Sequence, residues 1–327
     1  MTKHILITTS PFADTDPIAL RMLDAEGIAY TLNPVGRRLR EQEIAELIEP
    51  YEVIIAGTEP ITEAVLDRAP HLRLIAHTGI GLDNIALAAA RARGSAVTYT
   101  PSAPSPAVAE FTIGQMLTLL RHTAIADRGM RQGIWERRIG RRLSGLTVGV
   151  IGVGRIGRRV IRHLEAFRPL RVLANDLIID NDFSTATGCL WTDKRTIYLE
   201  ADVITLHVPL TPQTRHMIAR AELQLMKPDA VLINTSRGGI VDESALAAVL
   251  RERAAFSAAV DVFEEEPYSG ELNGLENCLL SCHMASCTRD CRLQMEVEAV
   301  GEVIRYFRRE PFLTPVPDAE YAIQCGE

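Results

Sequence analysis

A chain of 327 residues has room for two domains with separate cores. With 47% hydrophobic and 24% charged residues the composition is that of a folded globular protein, which excludes a disordered one. The net charge of -7 argues against a nucleic-acid or anionic-membrane surface. The apolar run between Met1 and Ser10 is too short for a signal peptide, and no apolar stretch reaches membrane-spanning length, so a cytoplasmic location is expected. Six cysteines in a chain of this size do not make a secreted disulfide framework.

In chain order, Ile5 to Thr8 reads as a first strand, and a helical pattern through Ile18, Leu20, Leu23 and Ala25 stops at Gly27. Strands follow at Tyr30 to Leu32, Val53 to Ala56 and Leu72 to Ala76, with helices at Glu41 to Ile48 and Thr62 to Ala69 between them. Strands alternating with short helices predict a parallel sheet covered on both faces, ending near Val97-Thr98-Tyr99. Proline-rich Pro101 to Pro106 breaks regular structure, as a domain crossing would, and a long helix runs from Ala107 to about His122. Six arginines between Arg128 and Arg142 suit a solvated or subunit-facing helical surface better than a polyanion site.

The middle of the chain is organised by Leu146 to Asp176. Val148, Val150 and Ile151 form an apolar run that suits a strand buried on both faces. Gly152, Gly154 and Gly157 then place G-x-G-x-x-G where strand passes into helix. Gly152 makes the tight turn, Gly154 lets backbone N–H groups approach a pyrophosphate, and Gly157 lets helix and strand pack closely. A second run, Arg171 to Ala174, leads to Asp176, nineteen positions beyond Gly157, where an acid can accept hydrogen bonds from an adenosine ribose. Strand, turn, helix and acid together point to a dinucleotide, and the acid points to NAD.

Leu177 to Lys194 shows no regular pattern. Strands follow at Asp202 to Val208, Ala230 to Asn234, Ala258 to Val262 and Cys278 to Leu280, with a helix from Glu243 to Arg253. A last helix, about Arg289 to Arg309, is expected to return to the first domain. Cys278, Cys282, Cys287 and Cys291 crowd around His283, but no C-x-x-C pair is present, so reduced thiols rather than a metal are expected.

Open parallel sheets bind ligands at the carboxyl ends of their strands. Arg237, the Asp261 to Glu266 run and His283 all sit there. An arginine can hold a carboxylate through paired hydrogen bonds, and a histidine oriented by a carboxylate can move a proton. Beside a nicotinamide that set suits reversible hydride transfer to a 2-oxo acid. On spacing alone Arg237 reads equally as a turn residue, Glu264 to Glu266 as a solvated loop, and His283 as a core histidine.

Several further motifs stand in one order: Gly57-Thr-Glu-Pro-Ile-Thr62, Gly79-Ile-Gly-Leu-Asp-Asn84, Val108-Ala-Glu110, Leu206-His-Val-Pro-Leu-Thr-Pro212, Asn234-Thr-Ser-Arg-Gly-Gly239, Val241-Asp-Glu243 and Asp261-Val-Phe-Glu-Glu-Glu-Pro267. With the glycine turn and His283, they make the chain resemble the D-isomer-specific 2-hydroxyacid dehydrogenases almost end to end, most nearly the catalytic portion of 3-phosphoglycerate dehydrogenases. The resemblance implies two doubly wound α/β domains. A Rossmann dinucleotide domain, residues 100–288, is inserted into a flavodoxin-like substrate domain made of residues 1–99 and 289–327, with the active site in the cleft between. It implies that Arg237 binds the substrate's carboxylate and carbonyl, that His283 is the acid/base, and that Glu266 pairs with it. Arg155 and Ile156 match pyrophosphate contacts, Val208, Thr235 and Ser236 nicotinamide-side contacts, and Asp261 the acceptor for the nicotinamide carboxamide. The backbone of Gly79, Ile80 and Gly81 matches the loop that receives the substrate carboxylate. Members are usually homodimers paired through their dinucleotide domains. Cys282 stands where proline commonly precedes the histidine, and Ala56 and His77 stand where phosphoglycerate enzymes carry arginine. Arg137, after Trp135, matches a position from which a neighbouring subunit can supply a cation. The expected activity is hydride exchange between NAD and a small D-2-hydroxy acid. An NAD(H)-sensing corepressor of the same family is the alternative.

Overall fold

The computed structural model describes residues 3–325. Strand β1 (His4–Ile7) opens the chain, and β2 (Ala29–Leu32), β3 (Val53–Ala56), β4 (Leu74–His77) and β5 (Ala96–Thr98) alternate with α1 (Ile18–Ala25), α2 (Glu41–Leu47), α3 (Glu63–Asp67) and α4 (Leu87–Ala92). The strands pair in parallel in the order β2-β1-β3-β4-β5. Successive side chains point to opposite faces, and both faces are apolar. Leu6, Ile54 and Ile75 pack into one helical layer, while Ile5, Ile7, Ile55 and Leu74 pack into the other. That double burial is why these strands read as continuous apolar runs.

Helix α5 (Pro104–Leu120) starts earlier than the expected Ala107. Pro104 and Pro106 occupy its first turn, where a missing N–H is tolerated, so the proline-rich stretch begins the helix rather than interrupting structure. His122 turns the chain with φ 54°, and an additional helix, α6 (Thr123–Arg131), follows. The basic stretch is therefore helical only as far as Arg131, and continues without regular secondary structure through Arg142.

Beyond it come β6 (Thr147–Ile151), α7 (Arg155–Glu165), β7 (Arg171–Asn175), α8 (Asn181–Thr187), β8 (Leu190–Trp191), α9 (Lys194–Glu200) and β9 (Val203–Leu206). Then follow α10 (Arg220–Leu225), β10 (Val231–Asn234), α11 (Glu243–Glu252), β11 (Ser257–Val260) and β12 (Cys278–Leu280). They form a parallel sheet ordered β12-β11-β10-β9-β6-β7-β8. The strand order reverses at the β6–β9 pair, which makes a crevice at the carboxyl ends of these two strands. Regular structure also occupies the Leu177 to Lys194 segment, as α8 and β8. Phe183 is the one buried side chain of α8, and β8 pairs over two residues, so neither left a periodic pattern to read. The helix is held instead by its cap, where the Asp180 carboxylate accepts the Phe183 N–H at 2.9 Å.

Finally α12 (Arg289–Arg308), capped by Thr288, packs on α1, β3 and β4, and α13 (Asp318–Cys325) packs on α4. Residues up to Pro104, with those from Cys287 on, form one unit, and Ser105–Ser286 form the other. Among the described residues no helix is long and apolar enough to cross a membrane.

Candidate active site

The glycine turn follows β6 directly. Gly152 has φ 92°, and a Cβ there would lie 2.4 Å from the His207 carbonyl oxygen at the end of β9. A Cβ on Gly157 would lie 2.0 Å from the Gly152 oxygen, so helix α7 presses on the turn itself. Gly154 faces open space, which leaves the start of α7, with Arg155 exposed and Ile156 half-buried, accessible to an anion. Asp176 directly follows β7, beside this turn. Its Oδ2 accepts the Val153 N–H at 2.6 Å and its Oδ1 accepts the Leu177 N–H at 2.7 Å. The carboxylate is thus anchored to the turn at a fixed place. Nearby Arg158 is committed to Asp180 at 2.7 Å and stacks over Phe183.

The polar groups follow the carboxyl ends of β10, β11 and β12, three adjacent strands. After β10 the Asn234 side chain clamps its own turn. Its Oδ1 accepts the Ser236 N–H at 3.1 Å and hydroxyl at 2.7 Å, and its Nδ2 donates to the Arg237 carbonyl at 2.9 Å. The Arg237 guanidinium also donates to the Ser236 carbonyl at 2.7 Å. Thr235 is buried, with its hydroxyl 3.1 Å from that of Thr112 on α5. Val208, just past β9, lies against the Gly152 turn.

After β11, Asp261 is buried and its carboxylate accepts three bonds. The donors are the Ser281 hydroxyl at 2.6 Å, the Met284 N–H at 3.0 Å and the Ala285 N–H at 2.9 Å. The His283 N–H donates to the Asp261 carbonyl at 2.7 Å. These bonds tie the Asp261 carboxylate to the loop carrying His283. Such a clamp sustains the left-handed backbone of His283, φ 51°.

His283 Nδ1 lies 2.9 Å from Glu266 Oε2 and 3.1 Å from Oε1. An ionised carboxylate only accepts, so Nδ1 carries the proton and donates, which leaves Nε2 for a ligand. Glu266 Oε1 also accepts the Phe263 N–H at 3.0 Å, so its carboxylate is oriented from both sides. A second histidine at this sheet edge behaves otherwise. Burial of its ring pushes His207 down to about 3, its Nε2 bonds Thr205, and its Nδ1 meets no partner among the described residues. His207 is therefore neutral near pH 7 and is no proton donor.

In the other unit, Gly79, Ile80 and Gly81 form the loop after β4, and the Gly79 carbonyl accepts the Thr100 N–H at 3.0 Å. Ala56 and His77, the last residues of β3 and β4, are buried. The cysteines separate into two kinds. Cys278 and Cys291 are buried, which pushes their thiols up to about 12 and about 11, whereas Cys282 and Cys287 are exposed. No metal-holding group of acids, histidines and cysteines occurs among the described residues.

Sequence reading passed over two groups, Asn234 and Glu243. Asn234 orders the Arg237 turn, and Glu243 accepts the Glu264 N–H at 2.7 Å beside the Glu266 loop. The signal was present in the motifs, but hydrogen bonds to backbone leave no periodicity.

Residues 113–285 match the model of the D-isomer specific 2-hydroxyacid dehydrogenase NAD binding domain. The chain is 37% identical over 299 residues to a D-3-phosphoglycerate dehydrogenase of Methanocaldococcus jannaschii, covering 89% of this chain and 55% of that protein. It therefore spans about half the length of that relative. It is 37% identical over 279 residues to a glyoxylate reductase of Aeropyrum pernix, covering 79% of this chain and 83% of the relative. A crystal structure of D-lactate dehydrogenase from Aquifex aeolicus, complexed with NAD and lactic acid, superposes with a TM-score of 0.83 at 28% identity, covering 94% of this chain and 96% of that one.

Proposed function

The chain belongs to the D-isomer-specific 2-hydroxyacid dehydrogenase family, and from that premise we propose that it is an NAD-dependent oxidoreductase exchanging a hydride with a small D-2-hydroxy acid or its 2-oxo acid. The observation that carries this reading is the Glu266–His283 pair at 2.9 Å, at the carboxyl edge of the sheet that also bears the glycine turn.

The residues present fit the cofactor. Gly152, Gly154, Arg155, Ile156 and Gly157 offer a turn without side-chain obstruction at a helix N-terminus, and Asp176 offers a fixed acceptor for a ribose. Val208, Thr235 and Ser236 supply the nicotinamide side. Asp261, its carboxylate oriented by three donors, is proposed to accept from the nicotinamide carboxamide with its remaining capacity. NAD, when bound, supplies or accepts the hydride. In reduction, Arg237 holds the substrate carboxylate through its planar fork. His283 gives its Nε2 proton to the carbonyl oxygen, and Glu266 orients the imidazole and balances the charge it carries. In oxidation the same nitrogen takes the hydroxyl proton.

The substrate is proposed to be of the glyoxylate or hydroxypyruvate kind rather than 3-phosphoglycerate. Phosphate recognition uses arginine forks or backbone N–H clusters, and Ala56 and His77 stand where related phosphoglycerate enzymes place arginines. Gly79, Ile80 and Gly81 are proposed as substrate contacts. The deciding experiment compares catalytic efficiency for glyoxylate, hydroxypyruvate and 3-phosphohydroxypyruvate at saturating NADH. No turnover with any of them would sink the activity. A preference above tenfold for the phosphorylated acid would sink the substrate assignment and direct attention to Arg137.

A cytoplasmic homodimer completes the proposal. Ile134, Trp135 and Ile139 are 51, 79 and 97% exposed on the irregular segment after α6, an apolar surface suited to a second copy. Light scattering that returns a monomer would remove this part.

A further inference from the structure

The loop between Val262 and Glu266 carries the carboxylate that orients His283, and something must hold that loop. Its backbone is approached from two sides. On one side the Arg237 turn lies against it, since a Cβ on Gly238 would stand 2.0 Å from the Phe263 carbonyl and 2.5 Å from the Glu264 nitrogen. On the other side Glu243, the first residue of α11, accepts the Glu264 N–H at 2.7 Å. The Glu264 side chain turns outward to His216 at 2.9 Å and Arg215 at 3.5 Å. We propose that Glu243 is a positioning residue for the Glu266–His283 pair, fixing the loop through the Glu264 amide and adding its negative charge behind Glu266. The inference rests on the reading of Glu266 and His283 given under the proposed function.

The carboxylate sits there against electrostatic preference. Burial above all holds Glu243 above the usual carboxylate range; the Glu264 amide bond acts against it, and the smaller effects of the Glu264, Glu266 and Asp242 charges add to it. Tyr268, stacked on Phe263, is a further titratable neighbour; burial chiefly raises its phenol, and Glu243 contributes. A neutral glutamine would accept the same amide bond without this repulsion. When ionised, Glu243 would add negative charge near the Glu266–His283 pair, where it favours the imidazolium.

The test uses the full chain with Glu243→Gln and Glu243→Ala, measuring kcat and KM for reduction across pH, together with Tm and NADH affinity. Glu243→Ala loses the amide acceptor, and kcat is expected to fall roughly ten- to a hundredfold, as small displacements of a catalytic group do, with NADH affinity unchanged. Glu243→Gln keeps the acceptor and is expected to lose less. Its alkaline limb moves to lower pH, because the protonated imidazole has lost a stabilising charge. Should the alanine variant fail to fold, Glu243→Gln decides alone. A pH profile of Glu243→Gln that superimposes on the parent overturns the proposal, as does an alanine variant that loses only Tm. If the parent turns over no 2-oxo acid, the activity assignment fails instead. The midpoint of the His283 ring titration, compared by NMR between parent and Glu243→Gln, then still tests the coupling.

Discussion

Gly238 lies so close to Phe263 that a methyl group on the glycine would stand 2.0 Å from the Phe263 carbonyl carbon. Arg237 directly precedes that glycine, and Glu266 lies three residues beyond that phenylalanine. The turn that is proposed to hold the substrate and the loop that orients the acid/base are thus registered backbone against backbone. Replacing Gly238 by alanine must separate them. A misplacement of about 1 Å can cost 10²-fold in rate, so Gly238→Ala is expected to lower kcat by about that factor. Steady-state kinetics at saturating NADH check it, and parental kcat would show that the two loops move independently.

His283→Ala removes the proton donor and is expected to cost about 10²- to 10⁴-fold in kcat. Glu266→Gln acts differently. It keeps a hydrogen-bond acceptor for Nδ1 but loses the charge opposite the imidazolium, so the pH above which reduction fades should fall. Arg237→Lys keeps the charge but not the fork, and should raise KM more than it lowers kcat. Three variants with one common kinetic defect would contradict this division of roles.

Cofactor choice is expected to follow Asp176. Its carboxylate is fixed by the Val153 and Leu177 amides, where it accepts from ribose hydroxyls and repels a 2′-phosphate. Arg158, the nearby cation, is held by Asp180. NADH should therefore be used more efficiently than NADPH, and Asp176→Ala should narrow the difference. Equal efficiencies in the parent would place the ribose elsewhere.

Thiol labelling should divide the cysteines by burial. Near pH 8 the buried thiols of Cys278 and Cys291, pushed up to about 12 and about 11, remain protonated and enclosed. Iodoacetamide should modify exposed Cys282 and Cys287 first, as read by peptide mass spectrometry, and modification of Cys282, next to His283, should lower activity. Inactivation at the parental rate in Cys282→Ser would assign the effect to another thiol.

Much of this architecture was legible because a parallel strand buried on both faces is an unbroken apolar run. Val53 to Ala56 and Val148 to Ile151 announced their strands in that way. What escaped were elements with little to bury. The helix at Asn181–Thr187 has Phe183 as its one buried side chain and is secured by Asp180, while the prolines at 104 and 106 read as a break and open a helix. The sequence by itself determined the glycine turn, because three residues without Cβ at those spacings suit one local geometry, and it offered Arg237, the Asp261 to Glu266 run and His283 as candidates, among which the family resemblance singled out Glu266. Only the tertiary structure decided that Glu266 meets His283, that the His207 ring is held neutral, and that the Asp261 carboxylate anchors the histidine loop. Each of these depends on distances between residues brought together by neighbouring parallel strands. Chain spacing says which groups reach the sheet edge, but hydrogen bonding and desolvation are set by what lies across from them.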